Sequence, residues 1–155
     1  MRIKSPIKIS PIAVFWICFF AAMIADQLVK LAILNGFRWE SEAISITLTF
    51  NEGVAFSFFA SIGSALKYIQ TALVLGIMIY VFRAKLLADY ALPIGILLGA
   101  GSSNVLDRFM HIGVVDYVYW HYWFDFAIFN LADVFIDCAI VMIVVIHIRS
   151  LKNAV

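Results

Sequence analysis

Long unbroken apolar runs dominate this chain, and polar residues punctuate them at a few places only. Four stretches, residues 12–34, 65–82, 90–106 and 129–148, come near the roughly 20 apolar residues a bilayer-spanning helix needs. Between the first two the pattern changes. Ile44, Ile46, Leu48 and Phe50 alternate with Ser45, Thr47 and Thr49, the period of a half-buried strand. Asn51-Glu52-Gly53 supplies a turn, from which Val54 to Phe59 is expected to return as a second strand. Before the last run, Tyr117 to Phe129 is crowded with tyrosine, tryptophan and phenylalanine, side chains that favour the membrane–water boundary.

The expected fold is therefore an all-α membrane protein, one domain over residues 1–155, with four transmembrane helices, a small β-like element and an aromatic interfacial segment. Composition agrees. Of 155 residues, 65% are hydrophobic and 14% charged, and the mean hydropathy is +1.01. Ordinary soluble domains carry roughly 25% charged residues, so a water-soluble enzyme is excluded. A net charge of +1 speaks against a nucleic-acid partner.

Charge also orients the chain. Arg2, Lys4 and Lys8 precede the first run, Arg83 and Lys85 lie between the second and third, and Arg149 and Lys152 follow the fourth. The opposite loops, 35–64 and 107–128, hold Arg38 and Arg108 beside six acidic residues. The positive-inside rule places both termini in the cytoplasm and both larger loops outside. The first run continues past Ala21 and Ala22 through Leu28, Leu31 and Ile33, too long for a signal-peptide core of about 7–15 residues. It is expected to stay as an uncleaved helix.

Ionisable residues in lipid are costly and mark function or pairing. Asp26 and Lys30 are four apart and can pair on one helix face. Asn104, Asp107 and Arg108 cluster at the outer end of the third span, and Asn130, Asp133 and Asp137 form one stripe of the fourth. Asp116 lies in the outer loop. Gly95 and Gly99 have the spacing of close helix packing, with Ser103 one step further. His111 and His121 read as interfacial loop residues and His147 as a helix-end residue. Cys18 and Cys138 read as small, buried packing residues, and no group has convincing metal-ligand spacing. A buried carboxylate stripe without a Ser–His or Cys–His companion leaves two chemistries open. One is proton or cation transport with Asp133 and Asp137 as a relay; the other is a two-aspartate hydrolase.

The order of motifs adds a resemblance. Asp26-Gln27-x-x-Lys30 is followed by Asn51-x-Gly53-x-Ala55-Phe56, then Gly99-x-Gly101-x-x-Asn104-x-x-Asp107-Arg108, Val114-Val115-Asp116, and Phe129-Asn130-x-Ala132-Asp133. This series resembles the lipoprotein signal peptidase, or signal peptidase II, family. The resemblance implies a monomeric aspartyl endopeptidase of the bacterial inner membrane, working against membrane lipids with its active site outside and with no metal or cofactor. Its substrate would be a prolipoprotein, which loses its signal peptide once the lipobox cysteine carries a diacylglyceryl group. The catalytic pair would fall on Asp116 and Asp133. Asn51, Gly53, Asn104, Asp107, Arg108, Asn130, Asp26 and Lys30 would support it or bind substrate.

Overall fold

The computed structural model describes residues 9–53 and 65–153 of the chain. Four helices carry it: α1 (Pro11–Leu34), α2 (Ala65–Arg83), α3 (Leu87–Met110) and α4 (Leu131–Asn153). Three strands, β1 (Trp39–Glu40), β2 (Ile44–Asn51) and β3 (Val114–Trp120), form one antiparallel sheet in that order. Among the described residues, α1, α2 and α4 are long and apolar enough to cross a bilayer. The 24-residue α3 is as long as α1, but it is the central helix on which the other three pack.

Local chemistry sets the ends of α1. Ser10 caps its N-terminus by accepting the Ala13 N–H, and Pro11 opens the first turn, where a missing N–H costs nothing. At the other end Gly36 takes a left-handed φ of +97°, and the N–H groups of Gly36 and Phe37 return to Ile33 and Ala32. That closing turn satisfies carbonyls the helix leaves free. Pro93 removes a rung of the α3 ladder, and the backbone leaves helical geometry at Tyr90, three residues earlier.

The packing is inside out relative to a soluble protein. Ile17, Phe20, Ile24, Leu28 and Leu31 of α1 are exposed, while Asp26 and Lys30 of the same helix are fully buried. Phe15 and Phe19 of α1 meet Val81, Leu87, Ala91, Ile94 and Leu98 in an apolar core at one end of the bundle. Gly95 and Gly99 let α1 and α3 touch backbone to backbone. A Cβ on Gly95 would lie 2.5 Å from the Phe15 carbonyl oxygen, and one on Gly99 closer still to that of Phe19. The close packing expected from their spacing is present, and Cys18 fits beside Gly95, whereas Cys138 is exposed on α4 and not buried as expected.

The segments around the ends of the expected spans differ from expectation in three ways. Asp107 and Arg108 belong to α3, because the helix runs on to Met110 where a loop was expected from 107. The partner of β2 is β3, in the stretch expected to be a purely interfacial aromatic segment; Val54 to Phe59 lies outside the described residues. Third, the chain returns after Trp120 so that Phe129 bridges to Val118. Periodicity reveals that Ile44 to Phe50 is half-buried, but not which distant segment pairs with it. The β2–β3 register runs from Ile44 opposite Trp120 to Asn51 opposite Val114, with an irregularity between Ile46 and Thr49. The extra residue on β2 sits just before Thr49 pairs with Asp116, a common place for a bulge to re-aim side chains.

Candidate active site

Beneath the sheet, a buried ionic layer joins α1, α3, β3 and α4. Lys30 Nζ lies 2.6 Å from Asp26 Oδ2 and 2.7 Å from Asp107 Oδ2. Ser103 donates its hydroxyl to Asp26 at 2.6 Å, and Gln27 donates its amide to Ser103 and Asp107. Asp26 also accepts the Ala132 N–H at 2.9 Å, and Asp107 the Val115 N–H at 3.1 Å. The expected Asp26–Lys30 pair is present, and it is half of a larger arrangement. Sequence spacing shows the half within one helix and cannot show Asp107, which lies on another.

The start of α4 is then fully satisfied. A helix leaves its first four N–H groups without partners. Here Leu131 N–H goes to the buried Tyr117 hydroxyl, Ala132 to Asp26 and Asp133 to the Asn130 side chain, before Val134 begins the helical ladder on the Asn130 carbonyl. Asp133 reaches back to accept the Asn130 N–H at 3.0 Å, closing a reciprocal capping box. The Asp133 carboxyl is thereby fixed by the fold itself.

Three asparagines surround the two carboxyls, and each amide is oriented by a neighbour that can only donate. Lys30 donates to Asn104 Oδ1 at 2.8 Å, so Asn104 Nδ2 faces Asp133 Oδ1 at 3.0 Å. The Asp133 N–H occupies Asn130 Oδ1, so Asn130 Nδ2 faces Asp116 Oδ1 at 2.6 Å and Asn104 Oδ1 at 3.2 Å. The Gly53 N–H occupies Asn51 Oδ1, so Asn51 Nδ2 faces Asp116 Oδ2 at 3.0 Å. Asp116 and Asp133 are thus linked through the Asn130–Asn104 pair. Burial pushes the Asp116 carboxyl up to about 6. The amide of Asn51 opposes that rise, the negative charge of Asp133 adds to it, and Asn130 and Lys30 hold it back.

Arg108 does not pair with Asp107. Its guanidinium donates to the Gly53 and Asn104 carbonyls, while Asp107 is taken by Lys30, Gln27 and Val115. Asn51, Asn104, Arg108, Asp116 and Asp133 line a cavity of about 600 Å³ between α2, α3 and α4. His111 lies against the Phe50 ring and His121 bonds Ser45, so neither joins this cluster.

Several contributors escaped sequence reasoning. Ser103 read as a packing residue, and Tyr117 as one more interfacial aromatic. Gly113 carried no signal, yet a Cβ there would lie 2.6 Å from the backbone of Asn51. Gly113→Ala is expected to displace Asn51 from Asp116. Misplacement of about 1 Å can cost on the order of 100-fold in rate, so activity should fall far more than thermal stability. Equal activity in the variant would show that Asn51 can shift freely.

The fold is that of a multi-helix membrane enzyme. Two solved structures described as bacterial membrane enzymes, at 2.3 and 1.9 Å resolution, match it with TM-scores of 0.76 and 0.73. Each is 23% identical to this chain; the first covers 92% of both chains, and the second 86% of this chain and 92% of its own. The family model for signal peptidase (SPase) II matches residues 18–149. A lipoprotein signal peptidase of Wolinella succinogenes is 60% identical over 119 residues, covering 76% of this chain and 81% of the relative. One from Helicobacter pylori strain 26695 is 54% identical over 128 residues, covering 82% of each. The chain belongs to the signal peptidase II family, the aspartic endopeptidases of prolipoproteins, as the motif order implied. A transport relay through Asp133 and Asp137 is set aside.

Proposed function

We propose that Asp116 and Asp133 are the catalytic pair of this peptidase, and that it cuts the signal peptide from prolipoproteins whose lipobox cysteine is already diacylglycerylated. The observation that carries this reading is the arrangement of the two carboxyls. They face one cavity, share the Asn130–Asn104 bridge, and receive amide donors oriented by groups that cannot turn. Two neighbouring carboxyls hold one proton between them. The ionised one takes a proton from water as it attacks the scissile carbonyl, and the protonated one polarises that carbonyl. The proton gained from water then passes to the departing amine.

In this reading the chain is one domain with four spans, α3 included, acting as a monomer in the bacterial inner membrane. Both termini face the cytoplasm. Arg149 lies sixteen residues along α4 from Asp133, about 24 Å at 1.5 Å per residue. That rise covers most of a hydrocarbon core about 30 Å thick, so the basic end lies toward the cytoplasmic face and the carboxyl end toward the outer one. The cavity walls contributed by Leu73, Val74, Val105 and Val134 suit a lipidated, apolar substrate arriving from the bilayer.

The test is cleavage of a diacylglycerylated prolipoprotein peptide by the purified protein in lipid, with and without excess EDTA. Cleavage that survives chelation is expected, because the proton chemistry assigned to the pair needs no metal. No cleavage at all would overturn the reading. Loss on chelation with recovery on zinc would move the chemistry to a metal site, with His111 and His121 the first residues to revisit.

A further inference from the structure

Two polar side chains in the cavity take no part in the arrangement above. Asp137 follows Asp133 by one turn of α4, and Gln70 faces the same space from α2. Gln70 Oε1 is shut off from solvent and has no hydrogen-bond partner. Among the described residues, Asp137 makes no hydrogen bond or ion pair, whereas Asp133 is held on both oxygens. Their neighbours Leu73, Val74, Val134 and Ile136 are apolar. A buried acceptor left without a partner, as Gln70 Oε1 is, costs about 1–3 kcal/mol. Asp137 is exposed on the α4 wall of the cavity, and both groups have capacity to spare for something that enters it.

The substrate's own backbone supplies the need. A peptide bond inside a helix is screened by its neighbouring turns, so the chain must be extended where it is cut. In lipid, every N–H and C=O released by that unwinding needs a new partner. Asp137 lies four residues beyond Asp133, about 6 Å along the helix axis. Extended chain advances about 3.3 Å per residue, so Asp137 stands level with the peptide group about two residues from the scissile bond. It is also on the membrane side, where the signal peptide lies.

We propose that Asp137 and Gln70 form a polar step that binds the unwound backbone of the signal peptide about two residues before the cut. Asp137 accepts a substrate N–H, and Gln70 accepts one through Oε1 or donates its amide to a carbonyl. This rests on the peptidase reading and adds two positioning residues to it. They hold backbone, so the step tolerates any apolar side chain on the substrate at that place.

The experiment uses the full chain in lipid nanodiscs with diacylglycerylated substrate peptides. In one set each amide of the four residues before the cut is replaced in turn by an ester, which deletes one N–H. Asp137→Leu and Gln70→Leu should raise KM about five- to tenfold, the worth of one hydrogen bond, with kcat within about twofold. Asp137→Asn keeps a carbonyl acceptor and should stay near wild type. Leucine suits a wall of α4 that meets lipid, so these variants are expected to fold. An ester at the second or third position should raise KM for wild type and add nothing in Asp137→Leu, the coupling of a shared contact. No coupling at any position would overturn the proposal. So would a fall in kcat at unchanged KM, or an Asp137→Asn protein as impaired as Asp137→Leu. Wild-type protein that cuts no all-amide substrate would instead sink the peptidase reading.

Discussion

Asp133→Asn is expected to lower prolipoprotein cleavage by about 10⁴-fold, the upper end of what a positioned acid–base group contributes, while the protein stays folded. The amide keeps the shape of the carboxyl but cannot share its proton. A modest loss of stability should accompany it. Asp133 accepts from the Asn130 N–H on one oxygen and from Asn104 Nδ2 on the other, and an amide must turn its own NH₂ toward one of them. Asn104 cannot flip to compensate, because Lys30 holds its oxygen. One donor is left facing a donor, at a cost of about 1–3 kcal/mol. Asp116→Asn is expected to behave alike, facing Asn130 and Asn51. Turnover near wild type in either variant, with thermal unfolding recorded on the same sample, would remove that residue from the chemistry.

The environment of Asp116 adds a pH dependence. Its carboxyl, pushed up to about 6 chiefly by burial, binds more protons in the folded state than its ordinary value of 3.8 gives it unfolded. Between those two values stability therefore falls as pH rises, since the native state then holds the extra proton. Above about 6 that contribution levels off. In the proposed mechanism the same value marks the loss of the proton that the pair shares, so kcat/KM should decline on the alkaline side from about pH 6. Melting curves of wild type and Asp116→Asn across pH 4–7 separate this group from the rest, because the variant lacks its share of the slope.

How much of this was legible in the sequence depended on whether the partner was local. The limits of α1 were readable from the length of its apolar run, and Ser10, Pro11 and Asn35-Gly36 fix them through their own turns. The Asp26–Lys30 pair was readable from i,i+4 spacing, and the backbone contact at Gly95 and Gly99 from small-residue spacing. Asn130-x-x-Asp133 carries a capping-box pattern as well as a stripe of polar residues, so the fixed carboxyl was within reach of local reasoning. The sheet was not. Alternation marks Ile44 to Phe50 as a strand, yet its partner is chosen by packing some seventy residues away, with Thr49 opposite Asp116. Asp107 illustrates the same limit, since its neighbour in sequence is Arg108 and its partner in space is Lys30 of α1.

That partnership carries the second large effect. Lys30→Met should unfold the protein or lower its stability by about 3–5 kcal/mol, the range for removing one member of a buried ion pair. Two carboxylates depend on this ammonium, with Lys30 1% exposed, Asp26 0% and Asp107 1%. Methionine matches the length of the lysine stem, so the loss is one of charge and hydrogen bonding more than of volume. The damage should also reach the active site. Without Lys30, nothing dictates which end of the Asn104 amide faces Asp133, and Asp26 can no longer be held where it receives the Ala132 N–H at the start of α4. Asp26→Asn combined with Lys30→Met removes one of the stranded charges and should be less destabilised than the sum of the single variants. That non-additivity is the signature of residues in contact. Melting temperatures of the four proteins in one detergent measure it. Strict additivity, or a Lys30→Met protein as stable as wild type, would mean that the ionic layer does not hold α1 to α3 and α4.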